Sequence, residues 1–249
     1  MTLFRLFRRA ASAHGYRANL PLSAIFALVA ATACAAAPAV AGDRSWEAQC
    51  EARLQPAHIA VTTEPSQLRY DFSQTIQALT LKAPLKTAGT KTLGLTVAQM
   101  RTSLKWSANY LVDDKTGRAC MRPQLTVGLS VNPQQVYIAR EFPQGSCAFN
   151  HIAEHELRHV RVNQARLEQV ADQLKVELQS ALGGRVFYGE HSQLRQQLEQ
   201  AVTKDWLPWV QQQLNAVDAQ HQLIDSPQEY AQNQIACNGE IARVLRSQR

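Results

Sequence analysis

The chain has 249 residues, 26 Lys+Arg against 20 Asp+Glu, 45% hydrophobic side chains and five cysteines. That apolar fraction excludes a disordered polar polymer, and the length is enough for one domain with a substantial core. The basic excess gives no argument for nucleic acid, because four arginines and no acids lie in residues 1–41, leaving 22 basic against 20 acidic side chains.

Those first residues read as an address. Arg5, Arg8, Arg9 and Arg17 precede a run from Leu20 to Ala41 that carries no charge, and Ala39-Val40-Ala41 offers small residues for cleavage. The run is about long enough to be kept as a membrane anchor, but its Ala-rich second half favours a cleaved secretory signal over residues 1–41. Ala31-Thr-Ala-Cys34 lacks the large aliphatic residue of a lipoprotein site, and Arg8-Arg9 lacks the bulky apolar pair of a twin-arginine signal. The expectation is an exported protein, periplasmic or secreted, with no membrane span in the mature chain. Residues 42–249 then form one domain, strand-rich over 55–142 and helical over 147–249.

A short helix is expected around Trp46–Leu54, then strands at His58–Thr63 and Leu68–Phe72, where apolar and polar residues alternate. Ala83–Leu93 reads as a loop. From Arg101 to Phe142 the pattern is that of an antiparallel meander. Ser103–Val112 is a strand, Asp113–Gly117 a turn, and Gln124–Val131 and Gln135–Ala139 a hairpin about Asn132-Pro133. Four cysteines remain after the leader, with no C-x-x-C spacing, so two disulfides are expected in preference to a cysteine zinc site. Reflecting the hairpin about Asn132-Pro133 sets Cys120 opposite Cys147, which leaves Cys50 for Cys237.

The chemistry lies in Cys147-Ala-Phe-Asn-His151-Ile-Ala-Glu154-His155-Glu156-Leu-Arg-His159. No Pro or Gly occurs between Gly145 and Gly183, apolar residues recur at helical spacing from Phe149 to Leu182, and Ser146 is a fair N-cap. On such a helix His155 and His159 stand one turn apart and can bind one Zn²⁺, while Glu156 is placed as the general base. An inverted motif, His151-x-x-Glu154-His155, overlaps the first. The 155/159 pair is preferred because it sits deeper in the helix. The competing account is a solvated helix face that happens to carry histidines.

A second long helix is expected from His191 to Ile224, kinked or divided at Pro208, and a third from Pro227 with Ser226 and Glu229 as a capping box. Folding the two long helices antiparallel about 183–189 sets His155 opposite residue 217. Asp218, His221 and Asp225 share one face there. His221 and Asp225 are joint candidates for the third zinc ligand, and Tyr230 or an arginine for stabilising an oxyanion. Glu177 is rejected because it lies five turns along the same helix; Glu229 is explained by its cap, and His191 by the surface.

Residues 68–230 resemble a family of predicted secreted zinc-dependent proteases of otherwise unknown function. The resemblance rests on Gly94-Leu-Thr96, Trp106-x-x-x-Tyr110, Gly117-x-x-Cys120, the H-E-x-x-H helix and Asp225. The family's tail is similar to N-x-x-Y-D followed by Thr and His-Gly; here His221-Gln-Leu-Ile-Asp225 stands at that place, and the later elements are missing. The resemblance implies a peptidase-like site. The fold expected is α+β and zincin-like: an antiparallel sheet, the long motif helix and a helical C-terminal third. The function expected is a zinc metallopeptidase acting on a peptide or protein, held along an edge strand such as Gln135–Ala139. The alternative is a non-catalytic binding or scaffolding protein with a vestigial or structural metal site.

Overall fold

The computed structural model describes residues 41–64, 66–84 and 90–247. The elements are α1 (Ala41–Arg53), β1 (His58–Glu64), β2 (Leu68–Asp71), α2 (Ile76–Lys82), β3 (Gly94–Val112) and β4 (Arg118–Ile138). They continue with α3 (Cys147–Leu182), β5 (Phe187–Glu190), α4 (His191–Gln200), a π-helical segment (Ala201–Trp206), α5 (Leu207–Asn215), α6 (Asp218–Ile224) and α7 (Pro227–Ser247). The leader expected at 1–41 falls outside the described residues except for Ala41, which opens α1. No helix among the described residues is long and apolar enough to cross a membrane.

The sheet is mixed, which corrects the expected antiparallel one. Strand β4 is its spine. The long β3 pairs with it antiparallel along one side, while on the other side β5 (antiparallel), β1 and β2 (both parallel) follow one another end to end. The expected hairpin at Asn132-Pro133 does not form, because β4 runs straight through it. Ala98 pairs with Gln134 and Met100 with Val131, so Asn132 and Pro133 together oppose Gln99 as a bulge. Both prolines of β4 fall where one flanking strand gives way to the next. Pro123 lies between the partners of β5 and β1, and Pro133 between those of β1 and β2. At those gaps a missing N–H removes no rung from the ladder, so Pro marks a handover and not a reversal.

Losing the hairpin changes the disulfides. Cys120 lies near the start of β4, far along the strand from the N-terminus of α3, and bonds Cys50 of α1; Cys147 bonds Cys237 of α7. The expected Cys120–Cys147 and Cys50–Cys237 pairs are therefore corrected. Two formed disulfides are compatible with an exported protein. The same geometry removes Gln135–Ala139 as an edge. Gln135–Ile138 is paired with β3, its first three residues with β2 as well, and Ala139 N–H donates to Leu93 O at 2.8 Å.

Helix α3 crosses one face of the sheet. Ser146 Oγ accepts from Phe149 N–H at 3.1 Å and Glu240 from Ala148 N–H at 3.1 Å, placing a hydroxyl and a carboxylate on its free amides. Its buried stripe is Ala148, Ile152, Glu156, His159, Asn163, Leu167, Val170, Ala171, Leu174, Leu178 and Leu182. From Leu167 onward this stripe packs with Leu125, Val127 and Leu129 of β4 and with Leu194, Val202 and Val210 from the helices that follow. At the other end Ala148 and Ile152 pack with Val136, Ile138 and Phe142. The helix expected over His191–Ile224 divides into α4, the π-helical segment, α5 and α6, with Pro208 directly after the π turn, whose i→i−5 bond runs from Leu207 N–H to Val202 O.

Candidate metal centre

Three consecutive positions of the α3 stripe are polar: Glu156 (4% exposed), His159 (7%) and Asn163 (3%). An apolar stripe gives way to polar side chains inside a core only where they have partners. Those partners come from β3 on one side and from α6 and Asp225, which follows it, on the other.

His155 Nε2, His159 Nε2 and Asp225 Oδ1 converge in a triangle. The separations are 3.1 Å (155–225), 3.2 Å (159–225) and 3.3 Å (155–159). Ligand atoms about 2.0–2.1 Å from a tetrahedral zinc ion stand about 3.3–3.4 Å from one another, so the donor set and its spacing fit zinc. The His₂-carboxylate set also leaves the fourth position open. The sequence leaves His221 and Asp225 as equals; the structure brings Asp225 into the triangle and leaves His221 outside it. The fold-back reflection errs by about two helical turns, since His155 meets Asp225 and not the neighbourhood of residue 217.

The inverted motif is not assembled. His151 Nε2 is tied to Asn233 Oδ1 of α7 at 2.6 Å, and exposed Glu154 pairs with Arg161. A second gathering of donors, Cys147, Cys237 and Glu240, has its sulfurs joined in the disulfide. Asp218 opens α6, and His191 stacks edge-on against Tyr110 with centroids 4.7 Å apart.

Glu156 is held from the sheet. Thr96 Oγ1 of β3 donates to its Oε2 at 2.7 Å. Gly94 makes room for the rest of the carboxylate: a Cβ there would fall 2.5 Å from Oε1 and 2.8 Å from both Glu156 Cγ and Ile152 Cγ2. Burial pushes the Glu156 carboxyl above its ordinary range, and the Thr96 hydroxyl and the two histidines only partly offset that. Around Asp225, burial opposes ionisation but hydrogen bonds from His155 and His159 outweigh it, and the carboxyl lies below the usual range. Burial likewise opposes charge on His155, yet Asp225, Glu156 and Glu229 together raise it.

The outer contacts were not read from the sequence. Glu229, explained there by its capping role, does donate its amide N–H to Ser226 Oγ at 3.4 Å. Its carboxylate, however, meets His155 Nδ1 at 3.3 Å and pairs with Arg158, which holds it below the ordinary range. Arg158 Nη2 also lies 2.9 Å from His155 Nδ1. Nδ1 thus faces a donor in Arg158 and an acceptor in Glu229, and only the Glu229 contact suits a lone pair on Nε2. Asn163 was legible in principle, as a polar residue where the period of the stripe demands an apolar one. Tyr230, half exposed on the first turn of α7, is raised by burial and by the charges of Asp225 and Glu156.

Comparisons of the chain with models of protein families, with curated proteins and with solved structures find no match.

Proposed function

We propose that the protein is an exported zinc-dependent peptidase whose metal is held by His155, His159 and Asp225 and whose general base is Glu156. The observation that carries the reading is the triangle of donor atoms 3.1–3.3 Å apart, with the buried Glu156 carboxylate on the same helix. When bound, zinc acidifies water and polarises the carbonyl under attack. The chain's own residues do the rest. Thr96 occupies Oε2 of Glu156, so Oε1 is the atom that takes the proton from water and delivers it to the leaving amine. Burial raises the proton affinity of that carboxylate, which suits it to both transfers near neutral pH.

An extended peptide suits the surroundings of the site. Among the described residues no strand pairs with the outer edge of β3, and its first residues, Gly94–Thr96, lie against Glu156. A substrate strand added to that edge would place its backbone beside the general base. Tyr230, half exposed and close enough to feel the charges of Asp225 and Glu156, is a phenol suited to a developing oxyanion.

The test joins zinc content to hydrolysis. The mature chain is expected to take up one zinc ion per molecule and to hydrolyse one of casein, a mixed peptide library or peptidoglycan. Glu156→Gln is expected to keep the zinc and lose about 10²–10⁴ in rate. Zinc bound in both proteins with no hydrolysis by either would favour the binding-protein alternative. Undiminished activity in zinc-replete Glu156→Gln would overturn the mechanism.

A further inference from the structure

His159 points one ring nitrogen into the donor triangle and the other away from it. On the far side His159 Nδ1 lies 2.9 Å from His221 Nδ1, and His221 Nε2 lies 3.0 Å from Asn163 Oδ1. Asn163 follows His159 by one turn of α3 and is 3% exposed, so the chain of contacts begins and ends on one helix, with His221 of α6 as its outer link.

We propose that Asn163, acting through His221, fixes the tautomer of His159, which makes Asn163 a positioning residue of the centre and His221 its relay rather than a ligand. The inference rests on the reading that His159 binds metal through Nε2. A neutral imidazole has one N–H and one lone pair. A lone pair on His159 Nε2 puts its proton on Nδ1, which donates to His221 Nδ1. That nitrogen must then accept, so the His221 proton sits on Nε2 and donates to Asn163 Oδ1. Each link has one donor and one acceptor, and the series closes on a carbonyl, which can only accept. An amide turned the other way would reverse both bonds and put hydrogen on His159 Nε2, between His155 and Asp225. The buried carbonyl of Asn163 therefore sets the state in which His159 can ligate. His221 has both nitrogens engaged in this chain, which accounts for its place outside the triangle.

The mature chain carrying ¹⁵N-labelled histidine, studied by long-range ¹H–¹⁵N correlation at a pH where both rings are neutral, tests this with and without zinc. Expected with zinc bound is a His159 with its proton on Nδ1, while without zinc Asp225 Oδ1 at 3.2 Å can also take a proton on Nε2; a His221 with its proton on Nε2 is expected in both states. Asn163→Leu should give mixed tautomers at both rings and weaken zinc about 10–100-fold in chelator competition. Asn163→Asp, which offers only acceptors, should keep both tautomers, and it decides the matter if Asn163→Leu fails to fold. Unchanged tautomers and affinity in Asn163→Leu would overturn the proposal, as would a His221 proton on Nδ1 in Asn163→Asp. Splitting of a His221 nitrogen by bound ¹¹³Cd would also overturn it, by making His221 a ligand. A chain that takes up no zinc would sink the peptidase reading instead, while the position of the His221 proton in the metal-free chain still decides this one.

Discussion

Helix α3 does two different jobs in its two halves. From Leu167 to Leu182 its buried stripe is Leu, Val and Ala packed on the first two-thirds of β4, and this half holds the sheet and the following helices together. From His155 to Asn163 the same stripe carries Glu156, His159 and Asn163, whose partners are Thr96 of β3, His221 of α6 and Asp225 just after α6. Each half has its own disulfide. Cys50–Cys120 is buried in an apolar cluster with Leu54, near the β4 end that underlies the C-terminal half, whereas Cys147–Cys237 ties the start of α3 to α7, and Cys147 is exposed. The contrast teaches that one rigid rod can separate stability from chemistry along its length. The apolar half fixes the rod, and the polar half needs only to present groups that other segments complete.

Breaking the polar half should therefore strike metal binding first. Asp225→Ala removes one of three ligands and is expected to weaken zinc on the order of 10³-fold, read by chelator competition, while the metal-free chain keeps its secondary structure. Retained tight binding there would move the third ligand elsewhere, His221 being the nearest alternative. Breaking the apolar half should do the reverse. Leu174→Ala opens a cavity at a residue 1% exposed, and a loss of about 2–5 kcal/mol in urea unfolding is expected. The folded fraction should still bind zinc with unchanged affinity. A large loss of affinity in Leu174→Ala would mean that the two halves are coupled.

The disulfides sharpen the comparison further. Replacing either pair by serines is expected to destabilise the chain by about 2–4 kcal/mol. Only the Cys147→Ser, Cys237→Ser pair should also weaken zinc. It frees α7, which supplies Glu229 to His155 and Asn233 to His151, and which begins two residues after Asp225. Removing Cys50 and Cys120 should leave the metal affinity as it was.

What the sequence disclosed divides along similar lines. The motif helix was legible from Ser146 to Gly183, because its signals are local: a cap, an unbroken period and no Gly or Pro. Strand β1 but for its last residue, β2 and the start of α7 were legible for the same reason. The sheet was not. Asn132-Pro133 is strong turn chemistry read locally, and only the positions of β1 and β2 on the far side of β4 explain why a proline can pass through a strand there. That one misreading produced the wrong edge strand and both wrong disulfides. The stretch after α3 was read as one helix kinked or divided at Pro208, whereas it holds a π-helical segment before that proline and a turn at residues 216–217, and reflection about 183–189 misses the facing residue by about two turns. His155, Glu156 and His159 were legible as a motif; Asp225 was legible only as one of two, because ligands from separate segments depend on long-range register.

The smallest effect expected is a change of slope with pH, and it separates the metal-free from the zinc-bound centre. Although burial opposes its charge, His155 is raised above its unfolded value by Asp225, Glu156 and Glu229. A raised histidine contributes stability that is fully present below the unfolded pKa of about 6.5 and is lost as pH rises through the folded value. The metal-free protein should therefore melt at progressively lower temperature as pH climbs from about 6 toward 9, and Asp225→Asn should flatten that slope. Zinc binding works against it. Ligation needs the histidines deprotonated, so the stabilisation added by a fixed excess of zinc should grow over the same range as protons cease to compete. Melting curves at several pH values, with zinc or with a chelator, are expected to diverge as pH rises. Parallel curves would mean that His155 does not exchange a proton for the metal, and the triangle would then lose its most basic member.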